Sequence, residues 1–298
     1  MAQSYTYDDN ARREDLLDII TNLSPRETQL LSGLGTSSAK DIYHQWLIDT
    51  LKSAAVNAYV EGVDATYPDR TDPTRYSNVT QIIRVGYEVT DTERAVQSAG
   101  FNDRYAYEAQ KALKEWSNDA EYALMRASMG CGTGSTARQM KGVKNFMTSN
   151  NYTDASGASL SEAMLNNAFQ AVWDDGTEIN AVYVPMKLKK KITSFTAGAT
   201  KNVETTDKRL VNSVDVYESD AAKLVKLFAH RYVSVTGDTN NDMVGLDEDK
   251  WRIAYLRKPF TRELSKTGDS TKGEVVGELT LECLHKDAGF YSANLGDI

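Results

Sequence analysis

Residues 79–90 constrain the fold of this chain more than any other stretch. Val79, Gln81, Ile83, Val85, Tyr87 and Val89 fall on one face, and Thr80, Ile82, Arg84, Gly86 and Glu88 on the other. Side chains in a strand repeat every two residues, so this pattern predicts a long extended segment with one face turned inward. Ahead of it, the chain leads outward past Trp46 and Ile48 to a polar tip of Asp64, Pro68, Asp69, Asp72 and Pro73, so 45–94 reads as one long hairpin. A two-stranded ribbon of that length is marginal by itself in water and needs a surface to lie on. Its tip is too polar to bury within its own subunit. Asp64, Pro68, Arg70, Asp72, Pro73 and Arg75 are therefore candidates for contacts across a subunit boundary.

A second long signal follows. Tyr105, Ala109, Ala112, Leu113, Trp116, Ala120, Leu124 and Ala127 recur at three- and four-residue spacing, predicting a helix over 102–129 that Gly130 ends. At 1.5 Å per residue it spans roughly 42 Å. Leu113, Trp116 and Leu124 are its expected core residues. Ser24-Pro25-Arg26-Glu27 opens a short helix that stops near Gly33. That leaves 1–22 as an arm whose few apolar residues, Leu16, Leu17, Ile19 and Ile20, are expected to pack on a neighbouring subunit.

Downstream, helices and strands alternate. Ser159 and Glu162 predict a capped helix ending at Asp174-Asp175-Gly176, and 179–184 a buried strand followed by a helix from Pro185 to Phe195. Further strands are expected at 211–217, 224–235, 251–260 and 274–284. The class is α+β. With 41% hydrophobic and 26% charged residues, the 298-residue chain has the balance of a folded globular protein. Its net charge of −8 repels phosphate on average and argues against a sequence-specific nucleic-acid binder.

The chemistry-bearing residues are sparse. Two cysteines, Cys131 and Cys283, are too few for a disulfide framework or a thiolate metal site and are read as reduced. His44, His230 and His285 stand far apart and match no catalytic motif. The loop Gly130-Cys131-Gly132-Thr133-Gly134-Ser135 follows a helix where a phosphate-binding loop needs a strand, so it reads as a helix terminator. Lys187, Lys189, Lys190 and Lys191 read as a solvated face, and Asp247, Glu248 and Asp249 as a turn. No catalytic, cofactor-binding or metal-binding residue is expected. The polar start of the chain has no apolar signal region, and no stretch approaches ~20 apolar residues, which points to synthesis in the cytoplasm without a membrane span.

Four segments carry a resemblance. They are Leu23-Ser24-Pro25-Arg26-Glu27-Thr28; Trp46 and Asp49-Thr50-Leu51 with Glu61-Gly62-Val63-Asp64; Asn78-Val79-Thr80-Gln81-Ile82 through Val89, Thr92 and Ala95-Val96; and Lys266-Thr267-Gly268-Asp269 with Val276-Gly277-Glu278-Leu279-Thr280-Leu281-Glu282. In order and spacing the chain resembles the short major capsid proteins of tailed bacteriophages with the Hong Kong 97-type fold. The resemblance implies an N-arm (1–44), an extended E-loop hairpin (45–96), a peripheral domain with a spine helix (97–139), an axial domain (140–245) and a return to the peripheral domain (246–298).

It further implies self-assembly into pentamers and hexamers of a viral head. The partners are then further copies, a portal protein, scaffold and decoration proteins, and packaged double-stranded DNA met without specificity. The location is the virion, assembled in the host cytoplasm. Unlike the founding member, the chain is expected to carry no large scaffolding segment ahead of the arm, so that assembly depends on a separate scaffold or on none, and no lysine, asparagine and glutamate set aligns with the founding member's cross-link. The rival within the fold is an encapsulin-type compartment, distinguished by protein cargo in place of DNA. The rival from another class is an α+β enzyme, against which the missing catalytic pattern counts.

Overall fold

The structure, a computed structural model, describes residues 28–65, 67, 70–96, 103–147, 151–195, 216–219, 222–234, 241–285 and 287–296. The arm 1–22, with Leu16, Leu17, Ile19 and Ile20, and the turn Ser24-Pro25-Arg26-Glu27 lie outside them, as does Pro68.

The described chain opens with α1 (Gln29–Gly33), which ends at the expected glycine. Thr28 at its N-cap makes no side-chain cap. A buried carboxylate takes over: Glu121 Oε1 and Oε2 accept from the amides of Leu30 and Leu31, each at 2.8 Å. The same Oε1 lies 2.8 Å from His230 Nε2, and His230 Nδ1 accepts from the Tyr232 amide. That places the imidazole hydrogen on Nε2, donating to the carboxylate.

Next come β1 (Gly35–Ser38), β2 (Tyr43–Ile48), β3 (Thr74–Val79) and β4 (Gln81–Thr90). β2 and β3 pair antiparallel, Tyr43 opposite Val79 and Ile48 opposite Thr74. The alternating run is therefore two strands, not one return limb. The break has a visible cause. Asn78 and Thr80 are fully buried. Asn78 Oδ1 accepts from the amides of Val79 and Lys141, while the Thr80 amide donates to the Ile42 carbonyl at 2.9 Å. β4 then enters a different sheet. Within it the alternation holds, with Ile83 and Val89 buried and Ile82, Arg84, Gly86, Glu88 and Thr90 exposed.

After α2 (Asp91–Ala95), capped by Thr90, runs α3 (Arg104–Arg126), about 35 Å long. Its buried line is Ala112, Trp116, Ala120, Ala123 and Leu124. Leu113 is not part of it. One residue past Ala112 is a turn of about 100°, which puts Leu113 off the line and 45% exposed.

The remaining elements are α4 (Val143–Met147), β5 (Tyr152–Asp154), α5 (Glu162–Asp174), β6 (Ala181–Val184), α6 (Met186–Thr193), β7 (Val216–Ser219), β8 (Ala222–Ala229), β9 (Asn241–Leu246), β10 (Trp251–Leu264), β11 (Ser270–Cys283) and β12 (Gly289–Leu295). The cap of α5 is Ser161, which accepts from the Met164 amide, and not Ser159; Glu162 then sits in the first turn, where the helix dipole favours an acid. Among the described residues three sheets result: β1-β10-β11-β4, β5-β12-β9-β6-β8-β7 and the ribbon β2-β3.

The described residues divide into two compact units. In the smaller, 84–96, 103–116 and 260–276, Tyr87 and Tyr105 meet at 5.2 Å between ring centroids. Gly273 is required there, because a Cβ would lie 2.4 Å from the Tyr87 ring. Lys266 reaches Asp91 at 2.7 Å. In the larger, Leu165, Phe169 and Val172 of α5 and Leu188 and Ile192 of α6 form one core with Val182, Val225, Leu227, Met243 and Phe290 of the six-stranded sheet. That core buries apolar surface worth about 25 cal/mol per Å².

Candidate functional site

β11 is buried along almost its whole length, which suits an inner strand of its sheet. Period-two geometry puts Glu274, Glu278 and Glu282 on one face, and all three carboxylates are buried. Each has its own partners. Glu274 takes Arg262 at 2.5 Å and Arg84 at 3.7 Å. Glu278 accepts from Thr80 Oγ1 at 2.8 Å, from Arg257 Nε at 3.1 Å and from Arg138. Glu282 accepts from Ser37 Oγ at 2.8 Å, with His44 Nε2 at 3.8 Å. Burying a carboxylate is costly unless it is paired and hydrogen-bonded, and these meet the condition.

The C-terminal part of β11 anchors the ribbon β2-β3. Trp46 Nε1 donates to the Cys283 carbonyl at 2.6 Å, and Asn78 Nδ2 to the Leu281 carbonyl at 2.8 Å. Arg138 Nε donates to the Thr80 carbonyl at 2.9 Å. The ribbon's root is thus bound by polar contacts to a buried strand.

Beyond the root the chain changes character. Between Ile48 and Thr74 the described residues form no strand or helix and are exposed throughout. They are not merely polar: Leu51 is 96% exposed, Val56 97%, Val60 78% and Tyr67 92%. The predicted contact residues Asp64, Arg70, Asp72 and Pro73 are exposed on the same segment, and Arg75 is exposed in β3. What residue-by-residue reading missed is the apolar content of the outgoing limb. The spacing of Leu51, Val56, Tyr59, Val60 and Val63 was its available signal.

Elsewhere, Trp116 and Leu124 are buried on α3. The glycine loop after α3 is closed by a bridge between Gly130 and Gln139, with Cys131 exposed. Cys283 is buried, and desolvation pushes its thiol up to about 12. Asp247 caps a short 3-10 turn, accepting from the Asp249 amide. Among the described residues no group of three or more His, Cys, Asp or Glu gathers to hold a metal ion, and no helix is long and apolar enough to cross a membrane.

A long helix, a sheet carrying a buried acidic strand, a mixed sheet covered by two helices and an exposed extended loop define the Hong Kong 97-type capsid fold. The chain superposes on the cyanophage A-1(L) capsid subunit with a TM-score of 0.68 at 12% identity, covering 95% of this chain and 97% of that one. The Microbacterium phage Oxtober96 structure gives 0.66 at 15% identity over 96% of each chain. The holo-SrpI encapsulin complex of Synechococcus elongatus PCC 7942 gives 0.64 at 10% identity, over 99% and 97%. At such identities the likeness is one of fold.

The family model of the SU10 major capsid protein matches residues 2–296, and the chain belongs to that family. The major capsid protein of Escherichia phage Phieco32 is 32% identical over 121 residues, which span 40% of this chain and 34% of that relative.

Proposed function

We propose that this chain is the wall-forming subunit of a tailed-phage head, assembling into rings of five and six that close around double-stranded DNA. The observation that carries the reading is the exposed apolar loop 49–73. Each aliphatic or aromatic side chain left in water there forgoes about 1.5–3 kcal/mol of burial. Leu51, Val56, Val60 and Tyr67 together make an exposed monomer a poor end state. Identical subunits in a ring use heterologous contacts, in which one patch of a copy meets a different patch of the next. An extended loop rooted on a rigid strand suits that geometry.

In this reading 1–44 is the arm, 45–96 the extended loop with the strand that follows it, 97–139 and 246–298 the peripheral domain, and 140–245 the axial domain. Leu16, Leu17, Ile19 and Ile20 of the arm then pack on a neighbour. Asp64, Pro68, Arg70, Asp72, Pro73 and Arg75 stand at the rim of the loop contact, where exposed ion pairs contribute about 0–1 kcal/mol each and set register more than affinity. The role is structural, with no catalysis. A portal, a scaffold and decoration proteins are the further partners, and the virion is the site.

Negative-stain microscopy and light scattering of the protein expressed alone test this reading. Capsomers or closed particles are expected; material of only about 33 kDa at every concentration contradicts it. Because an encapsulin shares the fold, the contents of particles from infected cells decide between the two containers: DNA supports the head, and a protein cargo the compartment.

A further inference from the structure

The lysines after Pro185 read in sequence as a solvated face, and the structure shows how they are disposed. α6 buries Leu188 and Ile192, which lie one turn apart on one side of the helix. Lys187, Lys190 and Lys191 stand at i, i+3 and i+4, which groups them on another face; Lys187 and Lys190 are exposed and Lys191 is half-buried. Lys189 is used differently. Its Nζ donates to the Leu227 carbonyl at 3.1 Å and fastens the helix to β8. Lys190 and Lys191 enter no ion pair among the described residues. The whole stretch 179–203 holds no aspartate or glutamate, in a chain whose net charge is −8.

This arrangement works against the helix that carries it. Like charges at these spacings repel one another. Pro185 caps α6 without a side-chain hydrogen bond, and the first turn holds no acid but does hold Lys187, a cation where the helix dipole favours an anion. α2 and α5 both place acids there, Asp91 with Glu93 in one and Glu162 in the other. The dipole accounts for Lys190 and Lys191 in the last turn and leaves Lys187 unexplained. A multivalent anion laid along the face relieves all three charges at once. The acidic excess of the whole chain does not oppose this at contact. At physiological salt a charge is screened beyond about 8 Å, so the three lysines outweigh distant carboxylates at their own surface.

We infer that the face of α6 formed by Lys187, Lys190 and Lys191 binds the phosphate backbone of duplex DNA without reading its bases. The inference rests on the shell reading above and gives the enclosed DNA a contact site on the subunit. Lysine is a compact point charge on a flexible stem, which suits phosphates met in any register, whereas the planar fork of arginine favours one fixed geometry. Three such contacts make the binding salt-dependent. With a slope of about −0.9 per phosphate neutralised, affinity falls about fortyfold between 50 and 200 mM salt. A contact of this kind holds DNA near a wall and still lets it slide.

Fluorescence anisotropy of a short labelled duplex titrated with the full-length, unassembled chain is the test. Lys187→Gln/Lys190→Gln/Lys191→Gln should bind about tenfold or more weakly at low salt and show a flatter salt dependence, while the triple change to arginine keeps both. Lys40→Gln/Lys111→Gln/Lys114→Gln removes the same charge at other exposed lysines and should bind as the wild type does. Circular dichroism confirms that each variant is folded. In DNA-filled particles, a small amine-acetylating reagent should modify Lys190 more slowly than in particles emptied of DNA. No binding of the duplex by the wild type, an equal loss in the control triple, tighter binding of single-stranded RNA than of the duplex, or equal acetylation of full and empty particles overturns the site and leaves the shell reading standing. Failure of the wild type to assemble, seen by light scattering, counts against the shell reading alone, since the anisotropy of the unassembled chain still decides the site.

Discussion

Trp46 Nε1 donates to the Cys283 carbonyl at 2.6 Å, tying the first strand of the exposed loop to a strand buried on both faces. The indole is nearly buried, so the bond adds to a packed side chain instead of standing alone. Trp46→Phe keeps most of the packing but leaves a buried carbonyl unpaired, and should cost about 1–3 kcal/mol. Trp46→Ala also opens a cavity and should cost about 3–5 kcal/mol. Urea denaturation of unassembled subunits measures both; equal losses for the two variants contradict the role given to the hydrogen bond.

Glu278 joins Thr80, Arg138 and Arg257 at one buried carboxylate. Glu278→Ala removes the common acceptor and leaves two guanidinium groups facing each other. Breaking a buried pair costs about 3–5 kcal/mol, and the lower end is expected here because Arg257 is 44% exposed and keeps its water. Glu278→Gln, which retains the shape but not the charge, should lose a large part of the same stability. Indifference of the denaturation midpoint to both changes would show that the cluster is incidental.

Trp116 and Leu113 separate the two sides of α3. With Trp116 at 1% exposure, Trp116→Ala should cost about 3–5 kcal/mol; with Leu113 at 45% exposure, Leu113→Ala in unassembled subunits should cost under about 1 kcal/mol. Thermal denaturation decides it, and a large loss at Leu113 returns that residue to the core.

Much of this was readable from residue order. Strict alternation identifies β4 because a strand with one buried face needs it, and the three- and four-residue recurrence of Trp116, Ala120 and Leu124 identifies α3. Periodicity cannot, however, separate Ala112 from Leu113 as the buried member of a neighbouring pair, and the larger residue proved the outer one. The break at Asn78 and Thr80 was invisible because it depends on Lys141, Ile42 and Arg138, partners far away or across a turn. β9 and β12 escaped notice because short buried strands carry no alternation, and β1 because it is four mostly exposed residues, Gly35 to Ser38, with no apolar side chain. The acidic face of β11 was legible in principle: Glu274, Glu278 and Glu282 recur every four residues within a strand pattern, which sets all three on one side.

Cys283 titrates in the alkaline range. Burial raises its thiol from the ordinary 9.0 to about 12, so between these values the folded chain holds a proton that the unfolded chain has released. The stabilisation is therefore complete below pH 9 and is lost as pH rises toward 12. Burial also raises Tyr183 and Tyr291, which act with the same sign. Stability should fall by on the order of 1 kcal/mol per pH unit above the ordinary thiol value, less steeply in Cys283→Ala. Iodoacetamide should label Cys131 in the native chain and Cys283 only after unfolding. Rapid native labelling of both thiols contradicts the assignment.

The central claim is that loop 49–73 joins subunits and contributes little to the fold of its own. Replacing it with a short Gly-Ser turn between Ile48 and Thr74 leaves the ribbon register, the Trp46 bond and Asn78 untouched. Light scattering and electron microscopy of this variant, beside its circular dichroism spectrum, form the most direct test. A native-like spectrum and thermal transition with no closed particles is the predicted result. Closed particles of normal stability from the loopless chain contradict the account.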